Sequence, residues 1–315
     1  MRTRTLGTHG PLVSVVGLGC NNFGWRIDVD QTRAVVDAAL DAGVTFFDTA
    51  DMYGNKGGSE EALGEVLQGR RDRVVLATKF GHQQADMGYA PELGPKGGRA
   101  YIRHALEQSL RRLRTDHVDL YQMHTPDPET PIAETLGALD ELVREGKVRF
   151  IGSSQFSGAQ VTEAADTARD LGLASFVSAQ NEWSLLERGI EDDTVPVAEA
   201  EGVGLLPFFP LASGLLTGKV RRATGIPEGT RLADRPAYVT DDKLYRVEQL
   251  IGWSEQHDRT LLDTAIAWLV GQPSLASVIA GATKPEQVRA NAAAGDWEMT
   301  PDELVEVDVI SRGGV

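Results

Sequence analysis

Short apolar runs alternate with amphipathic stretches along almost the whole chain. Eight runs read as strands: 15–19, 44–48, 74–79, 118–124, 148–153, 176–180, 204–208 and 277–281. Between them the apolar positions fall at helical spacing, as in 31–41, 101–113, 132–145 and 158–171, and Gly43, Gly146 and Gly172 stand where helix C-caps favour glycine. Strand and helix patterns in regular alternation predict parallel strands joined by crossover helices. Eight such units predict an α/β fold of the (β/α)8 TIM-barrel type. The opening segment, residues 3–7 and 13–15, reads as a β-hairpin capping the bottom of the barrel, and residues 301–315 as a helix with a short tail. Two connections, 81–98 and 211–243, exceed what a βα turn needs, and long loops on the upper face of a barrel carry function.

A barrel accounts for all 315 residues as a single domain, 1–315, with no internal repeat. Hydrophobic residues make up 41% and charged residues 24%, enough apolar material for a large core. The 31 Lys and Arg against 46 Asp and Glu leave a charge of −15, which speaks against a nucleic-acid or anionic-membrane surface. The basic cluster Arg111-Arg112-Leu113-Arg114 reads as a solvated helix face. No apolar stretch approaches the length of a membrane span, and the start of the chain only faintly suggests an export signal, so a cytoplasmic location is expected. One cysteine, Cys20, excludes an intramolecular disulfide, and six scattered histidines show no metal-ligand spacing, so no metal is expected.

Three consecutive predicted strands end in ionisable residues: Asp48, Lys79 and His124. Strand ends converge on the active site of a (β/α)8 barrel, and Tyr53 stands in the turn after the first of them. A phenol with a free pKa of about 10 needs a neighbouring cation to give up its proton near neutrality. Lys79 is placed to be that cation, and Asp48 to keep it charged in an apolar mouth. His124 can donate to a substrate carbonyl or share the proton transfer. Each residue alone also has an ordinary structural reading, as a turn cap, loop packing, half of an ion pair or a buried histidine. Their joint placement points to a carbonyl-polarising, proton-delivering site. The stretch Gly17-Leu18-Gly19-Cys20-Asn21-Asn22 offers a G-x-G but lacks the third glycine of a dinucleotide fingerprint, with Asn22 in its place.

The segments Phe47-Asp48-Thr49-Ala50-Asp51-Met52-Tyr53-Gly54, Ala77-Thr78-Lys79-Phe80 and Asp119-Leu120-Tyr121-Gln122-Met123-His124 resemble the signatures of the aldo-keto reductase family. The resemblance continues through 145–154, 180–186, 210–219 and 281–287, covers nearly the whole chain, and is strongest to the bacterial and potassium-channel β-subunit-like branch. It implies a barrel that binds NADPH without a Rossmann domain, with NADH as the weaker alternative, and passes hydride to an aldehyde or ketone. On this resemblance Asp48, Tyr53, Lys79 and His124 form the catalytic tetrad, with Tyr53 the general acid, Lys79 lowering its pKa, Asp48 fixing Lys79 and His124 orienting the carbonyl.

The same resemblance implies cofactor contacts. Ser154, Gln155 and Gln180 would hold the carboxamide, Phe208 would stack on the nicotinamide, and Gly19, Cys20 and Asn21 would lie beneath it. Leu211, Ser213, Gly214 and Leu216 would fold over the pyrophosphate. Gly281, Thr283, Lys284, Gln287 and Asn291 would meet the adenosine end, with Lys284 at the 2′-phosphate. Gln155 stands where the family usually has Asn, and Gln287 where many members have Arg, which removes one charge from the 2′-phosphate site. Substrate choice would rest on loops 21–28, 81–98 and 221–238, with Phe23, Trp25 and Tyr89 as candidate pocket residues, and the short tail after Asp308 suggests an open site. Two other functions fit the residues: a cofactor-binding sensor or regulatory subunit with slow turnover, and a lyase or aldolase using Lys79 as a Schiff-base amine.

Overall fold

A strand covered on both faces needs apolar side chains on both, and the central strands meet that condition. The computed structural model describes residues 1–223, 226, 232–233 and 236–313. Among them, strands β1 (Thr3–Thr5) and β2 (Leu12–Ser14) form an antiparallel hairpin. Eight further strands make one parallel sheet: β3 (Val16–Gly19), β4 (Phe46–Asp48), β5 (Val75–Phe80), β6 (Val118–Met123), β7 (Val148–Ser154), β8 (Phe176–Gln180), β9 (Gly204–Leu205) and β10 (Val278–Gly281). Their spatial order runs from β3 to β9 in sequence, with β10 beside β3. The sheet closes where Leu205 N–H donates to Ser274 O, Ala276 N–H to Leu205 O and Ile279 N–H to Pro207 O, at 2.9, 2.9 and 3.0 Å. The expected (β/α)8 barrel is therefore the fold.

Helices α1 (Val29–Asp41), α2 (Tyr53–Val66), α3 (Arg99–Leu113), α4 (Ile132–Arg144), α5 (Gly158–Leu171) and α6 (Thr194–Glu201) follow strands β3 to β8 in turn. Helices α7 (Asp241–Gln256) and α8 (Leu261–Val270) lie between β9 and β10; α9 (Pro285–Ala294) and α10 (Pro301–Ser311) close the described chain. Capping boxes at Asp28, Ser157, Thr260 and Thr300 start α1, α5, α8 and α10 by satisfying first-turn N–H groups.

Two apolar clusters divide the work. The larger lies between the helices and the outside of the barrel. The smaller fills the barrel interior with Phe46, Ala77, Leu120, Val177, Leu206 and Ala276, and the hairpin plugs it from below with Leu6 and Val13. Side chains two apart on a strand share a face. Two residues above Phe46 is Asp48, two above Ala77 is Lys79, and two above Leu120 is Gln122, followed by His124. The register, with Asp48 opposite Ala77 and Lys79 opposite Gln122, stacks this polar layer on the apolar plug at the C-terminal end of the barrel.

The predicted strand 204–208 is shorter than expected. The ladder is regular only to Leu205, because Pro207 has no N–H to donate, although Leu206 and Phe208 still donate to Ala179 O and Asn181 O. The loop 81–98 holds a short turn of 3-10 helix, Pro91–Leu93, and the described residues of the loop 211–243 include the turns Ala212–Thr217 and Pro236–Tyr238. Parts of the 221–238 segment expected to shape substrate choice lie outside the described residues.

Candidate active site

The polar layer opens into a cavity of about 780 Å³ that runs from the barrel mouth to α9. At its floor Lys79 is fully buried, and its ammonium is held by protein acceptors. Nζ donates to Asp48 Oδ2 at 2.5 Å and to Thr49 O at 3.0 Å, and the Tyr53 phenol lies beside it, close enough to interact electrostatically. Nζ stands 5.1 Å from the centroid of the Tyr53 ring. Burial alone would pull the lysine pKa down, but the Asp48 carboxylate and then Tyr53 outweigh it, so the pKa lies above the ordinary value. The other carboxylate oxygen, Asp48 Oδ1, accepts from Gln122 Nε2 and from Gln180 Nε2, both at 3.0 Å. The carboxylate is thus fixed on both sides and cannot swing away from the ammonium.

His124 packs edge-on against Tyr53, with ring centroids 5.7 Å apart. Its pKa is held well below the ordinary value, first by burial, then by the Lys79 charge and His82. The imidazole is therefore neutral at physiological pH. Nδ1 is buried without a hydrogen-bond partner among the described residues, which favours the tautomer whose proton is on Nε2, since the buried orphan is then an acceptor rather than a donor. His124 can accordingly donate one hydrogen bond, whereas the phenol beside the ammonium is the group with a proton to transfer.

Tyr53 reaches this position through an unusual backbone. Gly54, Asn55, Lys56 and Gly57 all have positive φ, forming a left-handed turn between the tyrosine and the regular part of α2. A Cβ at Gly54 would come within 2.5 Å of Ser59 N and 2.7 Å of Phe23 O, so glycine is required there for space as well as for φ. Ser59 anchors the far side of the turn by donating to Cys20 O at 2.7 Å.

Of the residues expected around a cofactor, Gly19, Cys20, Asn21, Ser154, Gln155, Gln180, Phe208, Leu211, Ser213, Gly214, Gly281, Thr283, Gln287 and Asn291 line the cavity together with Asp48, Tyr53 and His124. Leu216 is wholly buried in the core beside it, and Lys284 is exposed at the N-cap of α9, off the cavity wall. Gln155 adopts φ 59° and donates from Nε2 to His124 O at 3.2 Å. Gln287 Oε1 accepts from Thr283 N–H at 2.8 Å, bracing the turn before α9. Burial first, then Asp48, pushes the Cys20 thiol well above its ordinary pKa, and its Sγ contacts Leu18 O at 3.3 Å, so it is not a nucleophile.

The three candidate pocket aromatics stand elsewhere. Phe23 is wholly buried in the outer core, Trp25 is half exposed with its Nε1 donating to Asn21 O, and Tyr89 packs on Tyr101 and His104. Loop residues carry no strand parity, which is why aromatic character alone misplaced them. The cavity wall instead includes Asn22, Arg26, Met52, His82, Phe209, Thr217, Lys219 and Glu286. Gln122, fixing Asp48 from below, was also unassigned; its signal was present, since it lies two residues above inward Leu120. No cluster of side chains suited to a metal ion occurs among the described residues.

A sequence model described as the Aldo/keto reductase family matches residues 15–312. The chain is 39% identical over 296 residues to "Uncharacterized oxidoreductase YrpG" of Bacillus subtilis (strain 168), covering 90% of this chain and 88% of that one. It is 34% identical over 328 residues to "Probable voltage-gated potassium channel subunit beta" of Oryza sativa subsp. japonica, covering 98% and 96%. It is also 34% identical over 310 residues to "Probable aldo-keto reductase 1" of Glycine max, covering 96% and 86%.

Proposed function

Because this chain belongs to the aldo/keto reductase family, an oxidoreductase family, we propose that it reduces aldehydes and ketones to alcohols using NADPH, with Tyr53 as the proton donor. The observation that carries this reading is the buried Lys79 ammonium held between Asp48 and Tyr53 at the floor of the cavity. Such a cation stabilises the negative charge that develops on the phenol oxygen as its proton leaves. Tyr53 gives its proton to the carbonyl oxygen, neutral His124 donates a hydrogen bond to the same oxygen, and Asp48 keeps the ammonium charged and aimed.

The cavity suits a dinucleotide along its length. Ser154, Gln155 and Gln180 would hold the carboxamide: the Nε2 groups of both glutamines are already engaged by the protein, and their Oε1 atoms are suited to accept from an amide. Phe208 offers a ring for stacking. Ala212, Ser213 and Gly214 form a left-handed turn on the wall, and a Cβ at Gly214 would meet nothing within 4 Å, which leaves room for a pyrophosphate beside the backbone. The N-terminus of α9 has no side-chain cap, a favourable setting for a phosphate, and Lys219 adds a cation on the wall. When bound, the reduced nicotinamide supplies the hydride.

The similarity to a probable voltage-gated potassium channel subunit beta of rice supports a second reading, a cofactor-binding regulatory subunit with slow turnover. A Schiff-base role for Lys79 is disfavoured, because the amine is charged, wholly buried and hydrogen-bonded to Asp48 and Thr49. We take the substrate to be a small carbonyl compound and the location to be cytoplasmic; among the described residues no helix is long and apolar enough to cross a membrane. The reading is tested by following NADPH absorbance with an aromatic aldehyde, a dicarbonyl and an aldose. Consumption with at least one of them is expected. Tight NADPH binding with negligible consumption across the panel would favour the regulatory reading.

A further inference from the structure

One imidazole on the cavity wall has no part in the chemistry described above. His82 is half-buried in the loop after β5, and its ring packs edge-on against His124 with centroids 4.8 Å apart. Tyr53 meets the same His124 ring from another side, and Tyr53, His124 and His82 all line the cavity. Gln84 N–H donates to His82 Nδ1 at 3.3 Å, so Nδ1 is an acceptor and the proton of the neutral ring resides on Nε2. Burial, then Lys96, lowers the pKa of His82 and keeps the ring neutral. Nε2 has no hydrogen-bond partner among the described residues.

The loop that carries this donor is braced rather than slack. Lys96 Nζ donates to His82 O, Gln83 O and Ala85 O at 2.7, 2.9 and 2.7 Å. Thr125, directly after His124, accepts from Gln83 N–H at 3.0 Å and donates to Gly81 O at 3.2 Å. A donor fixed in this way beside the reacting position is pre-organised to recognise a second polar atom, since its hydrogen-bonding capacity is not spent on the protein.

We propose that His82 is a specificity-determining residue: its Nε2–H donates to an oxygen on the carbon next to the reacting carbonyl, so the site favours vicinal dicarbonyls and α-hydroxy ketones over simple ketones. The inference rests on the reductase reading and deepens it. A ketone lacking the second oxygen leaves the Nε2–H facing an apolar group, and sites built to hydrogen-bond a substrate oxygen discriminate on that basis.

The test compares kcat/KM for diacetyl and for butanone, its analogue without the second oxygen, in the wild type and in His82→Phe and His82→Asn variants. Diacetyl is intrinsically the more reactive, so the readout is the change in the ratio between proteins. His82→Phe is expected to lower the diacetyl preference about tenfold, and His82→Asn, which keeps an N–H donor, to recover part of it. Thermal melting and NADPH fluorescence titration check that each variant folds and binds cofactor; if His82→Phe does not fold, His82→Leu takes its place. An unchanged ratio, or equal loss in the Phe and Asn variants, overturns the inference and leaves the reductase reading standing. Failure of the wild type to reduce either ketone, or undiminished turnover by Tyr53→Phe, would overturn that reading and the inference with it.

Discussion

Burying a charge is costly unless it is paired and hydrogen-bonded, and two acidic residues three positions apart show both sides of that rule. Asp48 is held by Lys79, Gln122 and Gln180. Asp51 is equally buried, yet neither of its carboxyl oxygens has a hydrogen-bond partner among the described residues. Burial, reinforced by the nearby Glu60, raises its pKa from 3.8 to about 8. Asp51 therefore keeps its proton in the folded protein over a range where the unfolded chain has lost it. Stability is full below about pH 4 and declines as pH rises to about 8, by at most about 1.4 kcal/mol per pH unit. An Asp51→Asn variant should escape that decline. Urea unfolding of both proteins at pH 5 and pH 8 should show the wild type losing ground to the variant at the higher pH; a constant difference would contradict the assignment. The neighbours of Asp51 come from other segments, so nothing in the local sequence distinguished it from Asp48, whereas the grouping of Asp48, Lys79 and His124 was readable because three strand ends repeat one arrangement.

At the scale of elements, the strands and the four named helices were legible because apolar runs and helical periodicity both report burial, and a barrel buries them all in a regular way. The start of α2 was not. Tyr53 is followed by Gly54, Asn55, Lys56, Gly57 and Gly58, a composition that reads as a loop, and the left-handed turn that aims the tyrosine is held by contacts from Phe23, Ser59 and Arg112. Further along α2, a Cβ on Gly64 would come within 2.2 Å of Arg112 O and 2.7 Å of Leu113 C, at the C-terminal end of α3. The helix pair can pack this closely only with glycine there. Gly64→Ala should push α2 from α3 and cost about 1–3 kcal/mol, seen as a lower thermal midpoint. An unchanged midpoint would mean the two helices have room to separate.

The whole molecule divides by height along the barrel axis. A hairpin and an apolar plug fill the bottom, a polar layer of Asp48, Lys79, Gln122 and Gln180 sits above, and the cavity with its loops forms the top. The architecture and Asp48, Lys79 and Gln122 of the polar layer follow from period-two patterning, whereas Gln180, three residues after inward Val177, joins the layer past a register shift between β7 and β8, and Arg26, His82 and Lys219 reach the cavity from loops. The stability of the lower barrel lets the upper layer hold a buried ion pair and an imidazole nitrogen with no partner among the described residues, groups that cost stability where they stand. In the proposed reaction Tyr53 delivers the proton. The most direct test is to follow NADPH oxidation with a reactive dicarbonyl in the wild type and Tyr53→Phe, alongside NADPH fluorescence titration of each. The expected result is a loss of at least about a hundredfold in kcat with cofactor affinity retained; turnover that persists in Tyr53→Phe at the wild-type rate would contradict it.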